Sequence, residues 1–241
     1  MKRFTQVPQI VGTVSSLAML AAVVRQPLRK RVADCIEARL DALPEGEHTK
    51  ALELCAKLER SGTPVIVTLR EGNQWTKGDV ARLETFCQAL AVVTYVDIED
   101  DSKLARAVAA LARKGKKQAI ISYHDFKQTP TLPQLLKVVD KAVRDGAAVV
   151  KLATMVNELA DHAVLTGLLH ARPKVKLAVL GMGAGGISLR AYLPAAGSLL
   201  AYGFLGKSMA PGQLPCATLS EILRATCPPY EAQYRARTGR A

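Results

Sequence analysis

The stretch Ala147-Ala-Val-Val-Lys151-Leu-Ala-Thr154 decides the fold. Its valine-rich apolar run, entered through Asp145-Gly146, reads as a strand buried on both faces, the pattern of a parallel sheet. Lys151 stands in the middle of it. An ammonium in an apolar interior is costly enough that it finds a partner or gives up its proton. A neutral amine is a nucleophile suited to Schiff-base formation with a ketone or aldehyde. On this stretch alone, a lysine that snorkels from the strand end to solvent is the competing reading.

Outward from that strand, strand-like and helix-like segments alternate along the whole chain. Strands are expected at Gln9 to Val14, Cys35 to Asp41, Val65 to Arg70, Thr94 to Glu99, Gln118 to Phe126, Ala147 to Thr154, Val175 to Leu180 and Leu199 to Phe204. Helices are expected at Ser16 to Ala33, which Pro27 interrupts, then at His48 to Arg60, Asp79 to Leu90, Ser102 to Ala112, Leu132 to Arg144, Asn157 to His170, Ser188 to Leu193 and Thr218 to Thr226. Eight such units in 241 residues predict an α/β fold, a single (β/α)8 TIM barrel with a shortened N-terminal cap. A doubly wound open sheet fits the alternation too. It does not explain why Glu37, Arg39, Arg70, Glu99, His124 and Lys151 fall toward the carboxyl ends of separate strands, which converge on one mouth in a barrel.

Composition narrows the function classes. The net charge of +12 invites a nucleic-acid reading, but the basic groups Arg25, Arg29, Lys30 and Arg31, and Arg113, Lys114, Lys116 and Lys117, fall at helix ends and turns and read as a solvated face. No nucleic-acid-binding motif is present, so no nucleic-acid partner is expected. Five scattered cysteines without a CxxC pair read as reduced thiols of a cytoplasmic protein. The apolar segment from Ile10 to Val24 has the look of a signal peptide, yet Pro8 and Gly12 interrupt it and it serves as a first strand and helix. It is also shorter than a membrane span, so no membrane association is expected.

With these residues in view, the chain resembles the type I 3-dehydroquinate dehydratases. The resemblance runs in order through Ile36-Glu-Ala-Arg-Leu-Asp41, Thr68-Leu-Arg70, Asp97-Ile-Glu99, Ser122-Tyr-His-Asp-Phe126, Lys151, Gly181-Met182 leading to Ser188-Leu-Arg190, and Ala210-Pro-Gly-Gln213. It implies a shikimate-pathway hydro-lyase, commonly a homodimer, that turns 3-dehydroquinate into 3-dehydroshikimate without metal or cofactor. By the same resemblance Lys151 is the Schiff-base lysine and His124 the proton-transfer residue. Glu37, Arg39 and Arg70 bind ring hydroxyls, Arg190 holds the substrate carboxylate, and Gln213, with Ala210 and Ser208, belongs to a closing loop. Thr13 takes the place of a strand-one serine beside the substrate.

Three departures bear on substrate affinity. Glu71-Gly72-Asn73 follows Arg70 at once, where the family places several residues before a glutamate that orients the histidine. Met209 occupies the position of a carboxylate-binding serine, with Ser208 one residue away. Thr13 replaces serine on the first strand. Two other functions stay open at this level. One is a Schiff-base aldolase acting on a sugar phosphate, for which Gly183-Ala-Gly-Gly186 could cradle the phosphate. The other is a degenerate barrel that binds a partner.

Overall fold

The turn Asp145-Gly146 opens the strand that carries Lys151, and Gly146 adopts a φ of +98°, a conformation in which a side chain would be strained. The computed structural model describes residues 4–72, 78–206, 208, 210 and 212–239. Its strands are β1 (Gln9–Val14), β2 (Cys35–Arg39), β3 (Val65–Thr68), β4 (Tyr95–Glu99), β5 (Gln118–Asp125), β6 (Val149–Met155), β7 (Leu177–Met182), β8 (Leu200–Phe204) and a short β9 (Leu214–Pro215). Its α-helices are α1 (Leu17–Arg25), α2 (His48–Arg60), α3 (Asp79–Val92), α4 (Ala105–Lys114), α5 (Leu132–Arg144), α6 (Leu159–Ala171), α7 (Leu189–Ala195), α8 (Cys216–Thr226) and α9 (Pro228–Thr238).

All strand pairs are parallel, in the order β7-β6-β5-β4-β3-β2-β1-β8-β9. The two sides of the sheet meet between β7 and β8, which gives the α/β TIM barrel expected from the alternation. That seam is closed by Leu199 N–H donating to the Leu177 carbonyl at 2.7 Å. Beside it the buried Ser198 hydroxyl accepts from Val179 N–H at 2.8 Å and donates to the Val179 carbonyl at 3.2 Å. A side chain thus supplies a rung that backbone supplies elsewhere.

Two apolar cores follow from the period-two alternation of strand side chains. One lies between strands and helices, where α5 sends in Leu135, Val139 and Ala142 at helical spacing. The other fills the barrel's lower interior with Val11, Cys35, Ile66, Tyr95, Ile120 and Val149. The segment ahead of β1 covers this end. Phe4 stacks on Tyr95 with ring centroids 4.0 Å apart, its N–H donates to the Tyr95 hydroxyl oxygen at 2.6 Å, and its carbonyl accepts from Lys176 Nζ at 3.0 Å.

Several boundaries differ from expectation. Strand β2 stops at Arg39, and Asp41 lies in a following 3-10 turn of residues 40–42 where it pairs back to Arg39. Helix α4 begins at Ala105 because Ser102 is spent on turn contacts, and α1 ends before Pro27. Arg31 is buried, not part of a solvated face, and donates to Gln26, Ser61 and Thr63. Helix α9 was not expected. Its opening Pro228-Pro229 suits a first helical turn, and Arg237 ties it down at 3.1 Å from Asp34 and 2.6 Å from the Arg31 carbonyl. Among the described residues no helix is long and apolar enough to cross a membrane.

The seam yields a stability prediction. Ser198→Ala leaves the buried Val179 N–H without its acceptor and should lower unfolding free energy by about 1–3 kcal/mol, read as a lower urea midpoint. An unchanged midpoint would show that the hydroxyl rung is dispensable.

Candidate active site

Above the apolar floor the barrel interior turns polar. The register sets Thr13 beside Glu37, Thr68 beside Asp97, and Ser122 beside Lys151. Lys151 is 4% exposed, Asp97 1% and Glu37 3%, so the lysine has met the first of its two alternatives, a partner. Its Nζ lies 2.9 Å from Asp97 Oδ2 and 3.7 Å from Glu37 Oε1. It does not snorkel to solvent.

Both carboxylates are held by hydroxyls from neighbouring strands. Ser122 donates to Asp97 Oδ1 at 2.6 Å, while Thr13 and Thr68 each donate to Glu37 at 2.9 Å. Burial pushes the Asp97 carboxyl up, but the Lys151 ammonium, helped by Arg70, outweighs it and holds the group at about 2. Removing one member of such a buried cluster strands the other charges, which typically costs about 3–5 kcal/mol.

His124 sits two residues further along β5 than Ser122, nearer the mouth. Arg70 Nη2 lies 2.5 Å from His124 Nε2. A guanidinium can only donate, so Nε2 accepts and the ring proton is assigned to Nδ1. Burial, then the charges of Arg70 and Lys151, push the His124 pKa well below its ordinary value. The imidazole is therefore neutral at pH 7.

Arg39 forms a fork with Asp41, Nε to Oδ1 at 2.9 Å and Nη2 to Oδ2 at 2.6 Å. Arg190, on α7, is buried, and burial lowers its pKa to about 10. Thr13, Glu37, Arg39, Arg70, His124, Lys151, Arg190, Ala210 and Gln213 all line one cavity of about 630 Å³. Ser208 does not line it: the side chain is exposed and its hydroxyl donates to the Ala210 carbonyl at 2.9 Å. Met209 and Asn73 lie outside the described residues. Glu71, a doubtful stand-in for a histidine-orienting glutamate, reaches toward Arg82 at 3.6 Å, and its N–H donates to Glu99 at 2.9 Å. Among the described residues, His124 hydrogen-bonds to the Arg70 side chain and stacks on Phe126 with ring centroids 6.0 Å apart.

Sequence reasoning gave no site role to three contributors. Asp97 was visible as a carboxylate in an apolar strand, the same anomaly as Lys151, but its pairing needs the barrel to close. Tyr202, in an apolar run, gave no polar signal. Arg82 resembled a solvent-facing helical arginine, yet it is fully buried and donates to the Leu69 carbonyl, Ser102 and Glu99 beneath the Arg70 turn.

Fold and cavity together define an α/β barrel whose open end gathers strand-end side chains around a buried lysine. The family model described as type I 3-dehydroquinase matches residues 13–227. The 3-dehydroquinate dehydratase of Methanocaldococcus jannaschii is 35% identical over 200 residues, covering 80% of this chain and 87% of the relative. That of Thermodesulfovibrio yellowstonii is 32% identical over 193 residues, covering 80% and 85%. Among solved structures, the type I enzyme of Clostridium difficile, determined with covalent modified comenic acid, superposes with a TM-score of 0.79 at 22% identity over 98% of this chain and 100% of that one. The 3-dehydroquinate dehydratase of Aquifex aeolicus gives 0.78 at 24% identity, covering 90% and 97%. The chain belongs to the type I 3-dehydroquinase family.

The pairing of Arg70 with His124 is testable without substrate. Arg70→Met removes a positive neighbour that disfavours the imidazolium, so the His124 titration, followed by NMR of its ring protons, should move upward toward the ordinary histidine value. A titration unchanged or moved downward would contradict the assignment.

Proposed function

We propose that the chain is a hydro-lyase converting 3-dehydroquinate to 3-dehydroshikimate through a Schiff base on Lys151, with His124 moving the protons. The observation that carries the reading is the placement of Lys151 Nζ in the wall of an open cavity, 2.9 Å from a buried carboxylate, with a neutral histidine one step nearer the mouth. The family resemblance supplies the substrate.

In this reading the Lys151 ammonium passes one proton to the neutral His124, the resulting amine adds to the C3 ketone, and His124 returns that proton as the carbinol hydroxyl leaves as water, which leaves a protonated imine. The positive charge stays where the ammonium was, and Asp97, ionised at about 2, stays paired with it. The iminium draws electrons from C2, which makes its proton removable by a weak base. His124 takes that proton to give an enamine. The enamine expels the C1 hydroxyl, His124 returns the proton to it, and water leaves. Hydrolysis of the imine frees the product.

The low pKa of His124 has opposite effects on the two transfers. It weakens the imidazole as a base, which the iminium offsets, and strengthens the imidazolium as the acid that protonates the hydroxyl. Arg70 occupies Nε2 in the free protein, so ring hydroxyls drawing the guanidinium away would unmask the base. Among the residues that line the cavity, Glu37, Arg39 and Thr13 would meet the ring, Arg190 suits the carboxylate as a planar fork, and Ala210 and Gln213 belong to the loop that would close over it. The reading extends to one catalytic barrel domain acting as a cytoplasmic homodimer without a cofactor.

A panel comparing 3-dehydroquinate with sugar phosphates tests the assignment: only the former should be turned over. Lys151→Arg keeps the cation but not the nucleophile and should lower kcat by at least about 10³-fold with the fold retained by circular dichroism; Lys151→Ala should be as inactive. Turnover of a sugar phosphate, or substantial activity in folded Lys151→Arg, would sink the reading.

A further inference from the structure

Asp97 and Glu37 are two of the groups around Lys151 Nζ; a third is an aromatic face. The Tyr202 ring centroid lies 4.2 Å from Nζ. Tyr202 pairs with Val11 across β8 and β1, packs in the barrel's inner core, and lines the cavity. Its hydroxyl is buried and has no hydrogen-bond partner among the described residues. Burial, then the charges of Glu37 and Asp97, push the phenol's ionisation well above its ordinary value, so it is neither acid nor base here. What the side chain offers the site is its ring.

Schiff-base chemistry gives that ring a use beside the carboxylates. Condensation of the free amine with a ketone takes up one proton, releases one water and leaves the positive charge on the iminium nitrogen. An ammonium has three N–H donors and a protonated imine has one. Asp97, which already accepts from the ammonium, can accept that one, while Glu37 at 3.7 Å is a neighbouring charge without a hydrogen bond. A ring face needs no N–H; it attracts the charge itself.

We propose that the Tyr202 ring is a second electrostatic partner of the Lys151 nitrogen, beside Asp97, through its cationic states, holding the ammonium first and then the protonated imine, so that the imine stays charged while His124 removes the neighbouring proton. This rests on the Schiff-base reading above. It also explains why an unpartnered hydroxyl is tolerated in the interior: the ring lying over Nζ is the functional part, and the hydroxyl is not.

The test replaces Tyr202 by phenylalanine, and then by mono-, di- and trifluorophenylalanine through nonsense suppression. Fluorines drain the ring's negative face with little change of shape, so packing stays and the attraction falls. Tyr202→Phe should keep kcat within about twofold. Each added fluorine should lower kcat further, by roughly tenfold or more across the series, with a smaller change in KM and an unchanged thermal midpoint. Tyr202→Leu should sit at or below the trifluoro variant. A flat kcat across the fluorinated series overturns the proposal, as does a loss in Tyr202→Phe equal to that in Tyr202→Leu. Wild-type protein that fails to dehydrate 3-dehydroquinate removes the Schiff-base reading and this role with it. Intact wild-type turnover with a flat series removes the role of Tyr202 alone.

Discussion

An ammonium inside a protein barrel is stable only where charge is brought to meet it, and here β4 and β2 bring Asp97 and Glu37 to the lysine on β6. Much of the interior follows from that requirement. Two buried carboxylates need donors of their own, which accounts for hydroxyl residues on strands that are otherwise apolar: Thr13, Thr68 and Ser122. The lower barrel is free of this demand and is filled by hydrocarbon and by the Phe4–Tyr95 stack. The polar tier therefore rests on a dry one, which fixes the depth at which the lysine sits.

The same charges propagate toward the mouth. Burial, reinforced by the charges of Arg70 and Lys151, keeps His124 neutral. A neutral imidazole beside a cationic nitrogen is the combination that proton abstraction next to an iminium needs. Arg190 lines the same cavity from α7, so an anionic substrate meets positive charge at more than one side. The excess of basic residues across the chain adds long-range attraction of the same sign.

Strands and helices were legible because period-two and period-3.6 patterns are local. The barrel was legible because polar residues recur at successive strand ends, which only convergence explains. What escaped were relations between distant segments. Nothing in Asp97-Ile-Glu99 says which of its carboxylates meets Lys151; the register of the two intervening strand pairs decides it. Arg82 and Arg31 look like ordinary surface arginines until the turns above them fold down and leave backbone carbonyls to be satisfied. The resemblance sets Ser208 in the loop over the substrate, and chain order could not show that its hydroxyl donates to the Ala210 carbonyl. Helix α9 was missed because a double proline reads as a stop, although proline also starts helices.

The most direct measurement is borohydride reduction in the presence of 3-dehydroquinate, followed by peptide mass analysis. The account predicts a single reduced adduct on Lys151, absent when substrate is omitted. Folded protein that turns over substrate without a trapped adduct, or an adduct on another lysine, would contradict it.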